Sequence, residues 1–251
     1  MPEPGTLYVV ATPIGNQEDI TLRAIKTLRR VDLILAEDTR RARVLTERYR
    51  IRAHVSSCFP GNERQRGLEI LEHLAQGRSV AVISEAGTPG LSDPGAQVVA
   101  QAVQAGYDIC PIPGPSALSA ALSASGFPGR MVLFVGFLPR RPGRRLREIE
   151  SARGTADILV IYENPVRLPG LLRAIEQALG DPEVIVAREM SKIHEEFLRG
   201  RASTVLAGLQ NRSPKGEVTV LVRLDQEKIE GGEDGEDPHH GRDRVHGSGA
   251  E

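Results

Sequence analysis

Three loops of small residues are the parts of this sequence best suited to hold a ligand. They span residues 12–16, 85–90 and 113–117, are rich in Gly, Pro, Ser and Thr, and each follows a short apolar run. Small side chains let main-chain N–H and C=O groups approach a bound molecule closely. If the apolar runs are parallel strands, all three loops lie at the carboxyl edge of one sheet, where open α/β folds bind their ligands.

The stretch from residue 79 to residue 95 gives the clearest example. Residues 79–84 (SVAVIS) predict a buried strand, and the glycines and proline of EAGTPG end it. Ser92, Asp93 and Pro94 then predict a helix start, with Ser or Asp as the cap. Connections between a strand and a helix usually have about 2–6 residues. This loop is longer, which favours a ligand-binding role over a plain connection.

Strand and helix patterns alternate along the chain and predict an α/β protein with mainly parallel sheets. A Gly- and Pro-containing segment suggests a domain boundary near residue 125. We therefore expect an N-terminal domain over 1–125, a C-terminal domain over 126–225 and a disordered acidic tail over 226–251. Two successive strands near the end of the second domain predict an antiparallel edge.

The sequence also predicts where two helices of the first domain begin or end and which residues they bury. Asp19 is the expected cap of the first helix, whose apolar residues recur at intervals of three or four. A later helix over 62–76 should turn Leu68, Leu71 and Leu74 inward and end at Gly77.

Composition excludes several classes of protein. Two cysteines without metal-like spacing predict a reducing cytoplasm and no metal site, and no apolar run is long enough to span a membrane. The sequence contains no Walker A motif, no Gly-x-Gly-x-x-Gly after the first strand and no Gly-x-Ser-x-Gly. Residues 1–224 carry 29 basic and 24 acidic side chains, a net charge of +5, which permits a polyanionic partner.

Several motifs occur in the order found in one enzyme family. They are ATPIGN and DITLRA at 11–24, AEDTR at 36–40, the stretch 84–95, PGPSA at 113–117, YENPVR at 162–167 and REMSKIHEE at 188–196. With them the chain resembles, from about residue 5 to residue 224, the small-subunit ribosomal RNA cytidine 2′-O-methyltransferases of the tetrapyrrole methylase superfamily.

The resemblance implies two α/β domains with S-adenosylmethionine in the cleft between them. It further implies a homodimer that methylates a cytidine ribose of 16S rRNA near the decoding centre of the small ribosomal subunit. By position, the residues that would line the cofactor are Pro13, Ile14, Glu85, Gly87, Thr88, Ser116 and Ala117 from the first domain, and Tyr162, Ala187, Arg188, Lys215 and Gly216 from the second. The family usually has Asp in place of Glu85, so we expect this residue to alter cofactor affinity or the placement of the methyl group.

Methyl transfer to a ribose hydroxyl requires alignment of the reacting atoms and removal of one proton. Candidate bases are Glu85, Glu163 and Glu189, with Lys192 as a base or an electrostatic guide and His194 as a further possibility. Each could equally be a helix cap or a surface charge. Glu163 is preferred because it directly follows a predicted strand and should face the cleft.

A group of arginines is the candidate RNA-binding element. Arg140, Arg141, Arg144, Arg145 and Arg147 provide five cations in eight positions, and Arg40 belongs to a second, weaker group. They suit phosphate binding, although a solubilising helix start is the simpler alternative. Arginines at a helix N-terminus oppose the helix dipole, which favours a functional role. Since aromatic residues are only 4% of the chain, we expect phosphate contacts to dominate over base stacking.

Three functional hypotheses remain open at this stage. The first is an RNA 2′-O-methyltransferase. The second keeps the fold but methylates a tetrapyrrole carbon, and the arginine cluster and the TPIGN loop argue against it. The third is a non-catalytic RNA-binding assembly factor in which Glu85 has disabled the chemistry.

Overall fold

The computed structural model describes residues 4–59, 61–92, 95–210, 212 and 215–224, so the predicted tail lies outside the described residues. Within these ranges the strands form two five-stranded sheets, one after the other along the chain. The first sheet contains β1 (Leu7–Val10), β2 (Leu33–Ala36), β3 (His54–Ser57), β4 (Val80–Ile83) and β5 (Ile109–Ile112). Its order is β3-β2-β4-β1-β5 and every neighbouring pair is parallel, as predicted.

Helices cover both faces of the first sheet. They are α1 (Leu22–Leu28), α2 (Thr39–Arg48), α3 (Glu63–Ala75), α4 (Ala96–Gln104) and, leading to the second sheet, α5 (Ala117–Ser123). One core, around Leu28 and Ile34, joins α1 and α2 to one face, and another, around Ile70 and Val82, joins α3 and α4 to the other face. The adjacent strands β1 and β4 therefore send their helices to opposite faces. Such a switch point opens a crevice at the carboxyl ends of the strands.

The second sheet is mixed. It contains β6 (Val132–Phe137), β7 (Ile158–Glu163), β8 (Glu183–Arg188), β9 (Glu196–Arg201) and β10 (Val218–Arg223) in the order β6-β7-β10-β8-β9. Only β6 and β7 are parallel, and the antiparallel pair of β8 with β9 confirms the predicted edge. The central position of β10, antiparallel to both neighbours, was not predicted.

The two faces of the second sheet have different partners. One face is covered by α6 (Pro142–Glu150), α7 (Leu168–Leu179) and α8 (Ala202–Gly208). The opposite face, with Val160 and Leu221, packs against Ile14 and Ala121 from the first half of the chain. The loops of the first sheet thus lie against the second sheet, and the crevice becomes a cleft between two walls.

The predicted inner face of α3 is partly wrong. Leu68 is 59% exposed, whereas Glu63, Gly67, Ile70 and Leu74 form the buried face. Their spacing of four, three and four residues is that of a helical stripe. The prediction placed all three leucines on the inner face. In the structure the helix turns Gly67 toward α4, which packs so closely that an added Cβ would meet the Gln101 side chain.

Two predicted helix caps are also different in the structure. Thr21, not Asp19, caps α1 by accepting the Ala24 N–H at 3.0 Å. The N-cap of α4 is Gly95, with φ of +117°, and its N–H donates to the buried Glu63 carboxylate at 2.6 Å. Ser92 lies before this cap, and Asp93 and Pro94 fall outside the described residues. A carboxylate from α3 therefore replaces the local cap that the sequence suggested.

The helices in the described ranges are all too short or too polar to cross a bilayer. Within the same ranges, no three His, Cys, Asp or Glu side chains converge as metal ligands would.

Candidate cofactor and substrate cleft

A cavity of about 720 Å³ lies in the cleft between the two sheets. This volume is within the range of small-molecule sites. Its walls combine the loops after β1 and β4 and the start of α5 with the ends of β6 and β7 and the start of β10. The predicted site residues that line it are Ile14, Glu85, Gly87, Thr88, Ser116, Ala117, Tyr162, Glu163 and Gly216.

The other predicted site residues lie around this cavity. Pro13 and Lys192 line a smaller adjoining cavity of about 260 Å³, which shares Ile14 and Glu85 with the first. Ala187 is buried in the core beneath the cleft. A separate pocket contains Arg188 and Lys215, and the Arg188 guanidinium donates to the Lys215 carbonyl at 3.1 Å.

The small-residue loops are fixed to one another by hydrogen bonds. Thr12 and Gly87 exchange main-chain hydrogen bonds of 2.8 and 3.0 Å. The Ser84 hydroxyl donates to the Gly87 carbonyl, and the Thr88 hydroxyl donates to the Pro115 carbonyl at 3.2 Å. Gly87 has φ of +88°, a conformation that glycine adopts without steric cost. The first-sheet wall of the cleft is therefore preformed rather than loose.

Contacts across the cleft tie the second wall to the first. The Tyr162 hydroxyl accepts the Leu118 N–H at 3.1 Å, and Ser191 Oγ accepts the Asn16 N–H at 3.0 Å. Gly15 lies so close to Ser191 and Lys192 that a Cβ would not fit. The segment around Ser191 has positive φ at two non-glycine residues, a feature that often marks functional loops.

Acidic side chains dominate the cavity. Glu37, Glu63, Glu85, Glu163 and Glu217 line it, and no Lys or Arg is among the described lining residues. Burial, followed by the nearby charge of Glu85, raises the pKa of Glu37. The Arg41 guanidinium, in the adjoining cavity, offsets Glu85 at 3.0 Å. Such a lining favours a ligand with positive charge and disfavours an anionic one.

Glu163 is the most buried carboxylate of this group. Its side chain has no exposed surface, and Oε1 pairs with the Arg167 guanidinium and accepts the Asn164 N–H. The second oxygen, Oε2, is buried and has no hydrogen-bond partner in the described part of the chain. Burying an unpaired polar atom is costly, so Oε2 has an unmet capacity to accept a hydrogen bond.

Lys192 is held as a cation. Its Nζ lies 2.8 Å from Glu189 Oε1 and 3.1 Å from Glu217 Oε2. Burial alone would lower the pKa of Lys192, but the hydrogen bonds to Glu189 and Glu217 outweigh it and the pKa is raised. Burial likewise opposes ionisation of Glu189, but hydrogen bonds from Lys192 and the Glu217 N–H hold its pKa below the usual value. Lys192 is therefore suited to act through its charge rather than as a base.

We expect this network to make stability depend on pH. A carboxyl whose pKa is lowered by folding stabilises the protein above its unfolded pKa, and that contribution is lost as the pH falls through the folded pKa. The difference in unfolding free energy between wild type and Glu189→Gln should thus be constant near neutrality and shrink below about pH 4.5. Urea unfolding at a series of pH values measures it. A difference that stays constant down to pH 3 would contradict the ion-pair assignment.

The arginine cluster divides into two sets. Arg140 and Arg141, just before α6, and Arg144 and Arg147, on the helix, are all exposed. Arg144 pairs weakly with Glu148 at 3.5 Å. Arg145 is half-buried, lies over Gly170 of α7, and has an unpartnered Nε. Arg40 is exposed on α2 beside Asp38. The four exposed cations near α6 are therefore accessible to a polyanion, while Arg145 packs between helices.

Sequence reasoning missed several residues that line the cavity. Glu37 directly follows β2, and this position alone could have identified it. Glu63 and Glu217 could not be found in this way, because one lies on a helix and the other precedes a strand. Phe137, the last residue of β6, was also missed.

The fold places the chain in a known class. The sequence profile of the tetrapyrrole (corrin/porphyrin) methylases matches residues 6–206. A cobalt precorrin-4 methyltransferase superposes with a TM-score of 0.66 at 16% identity, covering 87% of this chain and 94% of the other. A uroporphyrin-III C-methyltransferase of Thermus thermophilus, solved with S-adenosylhomocysteine, gives 0.60 at 17% identity, covering 86% and 97%. At these identities the likeness concerns the fold.

Sequence relatives define the family more narrowly. A ribosomal RNA small subunit methyltransferase I of Thermotoga maritima is 48% identical over 218 residues, which are 87% of this chain and 98% of the relative. Proteins of the same name from Leptospira biflexa and Bacillus subtilis are 41% and 40% identical, covering 94% and 87% of this chain and 98% and 75% of theirs. This chain belongs to the ribosomal RNA small subunit methyltransferase I family of the tetrapyrrole methylases.

Proposed function

We propose that this protein transfers the methyl group of S-adenosylmethionine to the 2′-hydroxyl of a cytidine in 16S rRNA of the small ribosomal subunit. The observation that carries the proposal is the identity of 40–48% with ribosomal RNA methyltransferases over most of the chain. The acidic cleft between two preformed walls supplies a site in which this chemistry fits.

The residues of the cleft fit the cofactor. Its sulfonium and amino groups are cationic and match the acidic lining, and the small-residue loops allow main-chain contacts to adenine and ribose. We assign Ile14, Gly87, Thr88, Ser116 and Ala117 to one side of the cofactor and Tyr162 and Gly216 to the other. Pro13, Ala187, Arg188 and Lys215 do not line this cavity, so we do not assign them direct contacts with the cofactor. The cofactor supplies an electrophilic methyl group.

Glu163 is the proposed proton acceptor. Its unpartnered Oε2 would take the proton of the ribose 2′-hydroxyl, while Arg167 and the Asn164 N–H hold Oε1 in place. Glu85, held by its ion pair with Arg41, would place a negative charge beside the bound cofactor. Lys192, in the adjoining cavity, would contribute positive charge beside the site. A general base in a fixed position typically accelerates a reaction by about 10²–10⁴-fold.

The two alternatives are less consistent with the cleft. Natural tetrapyrroles carry several carboxylates, and the described lining offers them carboxylates without a cation. A non-catalytic assembly factor has no use for a buried, unpartnered carboxylate oxygen, which lowers stability.

Methyl transfer from labelled cofactor to purified small subunits, followed by mapping of the modified nucleotide, tests the proposal. We expect incorporation at a single cytidine ribose that blocks alkaline cleavage at that position. Transfer to a tetrapyrrole but not to RNA, or RNA binding with no transfer, would favour the respective alternative. A homodimer and a cytoplasmic location belong to the same proposal, and sedimentation equilibrium measures the former.

We further propose that the exposed arginines near α6 bind RNA phosphates. The double variant Arg140→Ala/Arg144→Ala should weaken RNA binding and flatten the log–log salt dependence of affinity by about one to two units, since each phosphate contact contributes roughly −0.7 to −0.9. Affinity measurements between 50 and 300 mM KCl determine the slope. Arg145 is left in place because it packs against α7.

The matched control is Arg30→Ala/Arg52→Ala. Both residues are exposed and precede β2 and β3, at the edge of the first sheet opposite the cleft. The control removes the same charge and should keep the salt slope of the wild type. If the salt slope were reduced equally in both double variants, the cluster would act only through its net charge.

A further inference from the structure

An irregularity in β6 aims one aromatic side chain into the cleft. The pairing of β6 with β7 shifts by one residue between Phe134 and Gly136, so that Phe134 lies opposite Val160 while Phe137 lies opposite Tyr162. In a regular strand, residues three apart point to opposite faces. The bulge places Phe134 and Phe137 on the same face, the one that packs toward the first sheet.

Gly136 makes this bulge possible. Its φ of +61° is a left-handed conformation, and an added Cβ would collide with Ser92 of the first-sheet loop. The left-handed backbone strongly favours glycine at this position, and any larger residue would also have to displace the Ser92 side chain. Bulges at sheet edges near functional sites commonly redirect a side chain. The strand is thus built to present Phe137, which a regular strand would turn away.

Phe137 is unusually open for its type. The chain has five phenylalanines, four tyrosines and no tryptophan. Phe137 is 57% exposed, lines the cleft cavity, and meets the Tyr162 ring edge-on with centroids 5.8 Å apart. The Tyr162 ring is itself held between Phe134 and Phe137, with its hydroxyl bonded to Leu118. A supported aromatic ring with an open surface is a stacking platform.

The surroundings indicate which molecule occupies the platform. Arg140 and Arg141 follow Phe137 within four residues and are exposed. Proteins bind unpaired nucleotides by stacking the base on an aromatic ring and binding the phosphate with cations, and this segment supplies both types of residue within five positions. We infer that Phe137 stacks against the base of the target nucleotide and thereby holds its ribose at Glu163. This inference rests on the proposed function, and it adds base stacking to the phosphate contacts that the sequence led us to expect would dominate.

A comparison of ligands with and without the base isolates the contact. One ligand is a short single-stranded oligoribonucleotide with one cytidine, and the other carries an abasic ribose at that position. Stacking on an aromatic side chain is worth enough for the wild type to prefer the first ligand by roughly 5- to 150-fold. Phe137→Ala and Phe137→Leu should bind both ligands equally, whereas Phe137→Tyr should keep the preference.

Phe137→Leu separates stacking from apolar contact, because it retains a large apolar side chain without a ring. Val103→Ala is the control for loss of exposed apolar surface. Val103 is also 57% exposed, but it lies near the end of α4, away from the cleft. It should leave the preference unchanged. Loss of the preference in Val103→Ala, or its persistence in Phe137→Ala, would overturn the inference.

The absence of tryptophan allows a direct optical test. Phe137→Trp introduces a single indole, whose fluorescence should be quenched when the cytidine oligonucleotide binds and much less by the abasic one. Val103→Trp should not respond to either ligand. Equal quenching of Phe137→Trp by both ligands would contradict stacking.

Methylation of intact small subunits separates this inference from the proposed function. If wild type methylates the subunits, we expect Phe137→Ala to raise KM for subunits and lower kcat, with Phe137→Tyr restoring both and cofactor affinity unchanged. Normal kinetics for Phe137→Ala would refute the stacking role and leave the methyltransferase intact. If Phe137→Ala raised only the Kd for the cofactor, the Phe137 ring would contact the cofactor and not the base of the RNA. No methylation by wild type would refute the proposed function itself.

Discussion

Glu163→Gln is expected to slow methyl transfer by about 10²–10⁴-fold while cofactor affinity stays close to that of the wild type. Glutamine has the same shape as glutamate, so its carbonyl oxygen can still accept the Asn164 N–H and face Arg167. At the position of Oε2 it places an NH₂ group, which cannot accept a proton. Single-turnover transfer to small subunits at 20 °C measures the chemical step, and calorimetry measures cofactor binding.

A purely structural role for Glu163 makes a different prediction. Breaking a fully buried ion pair by removing one partner destabilises a protein by about 3–5 kcal/mol. The Arg167 side chain is 27% exposed, so removing Glu163 should cost less than that, whereas removing Arg167 leaves a buried carboxylate unpaired. Arg167→Met breaks the same pair but leaves the carboxylate in place. We expect both variants to melt at lower temperature. Arg167→Met keeps the carboxylate but loses one of the two groups that hold Oε1, so it should slow the chemical step far less than Glu163→Gln does. Equal rates in the two variants, each measured well below its melting temperature, would remove Glu163 from the mechanism.

The architecture could be predicted because it follows from local patterns. Short β-branched runs such as Val80–Ile83 and small-residue loops fix strands and their ends within a few residues of sequence. The loops that follow parallel strands must then share an edge, which brought Ile14, Gly87 and Ser116 together correctly in one cavity. No contact between distant residues was needed for that step.

The remaining features depend on contacts between distant segments. The cap of α4 comes from Glu63, and the buried face of α3 is chosen by Gly67, which lets α4 approach. The direction of Phe137 depends on a one-residue bulge that periodicity does not reveal. Likewise, Arg145 cannot be distinguished from its neighbours until α7 is seen to pack against it. These are tertiary effects, which depend on segments far apart in the sequence.

Gly87→Val is expected to weaken S-adenosylmethionine binding by roughly 5- to 150-fold, because a non-glycine residue in a left-handed conformation costs about 1–3 kcal/mol and a branched side chain is the least tolerant. A Cβ at this position would lie 3.4 Å from Ile14 Cγ2 and 3.7 Å from the Pro115 carbonyl. The backbone can relieve the strain only by breaking its hydrogen bonds with Thr12. All of these contacts belong to the wall that we assign to the cofactor.

Gly106→Val separates this local effect from general destabilisation. Gly106 has a similar φ of +79°, no atom within 4 Å of an added Cβ, and a position between α4 and β5, away from the cleft. The strain is therefore comparable, and both variants should lose thermal stability. Only Gly87→Val should lose cofactor affinity in isothermal calorimetry. If a folded Gly87→Val binds the cofactor as tightly as wild type, the loops after β1, β4 and β5 do not form the cofactor pocket. If Gly106→Val weakens binding equally, the loss reflects stability and does not locate the site.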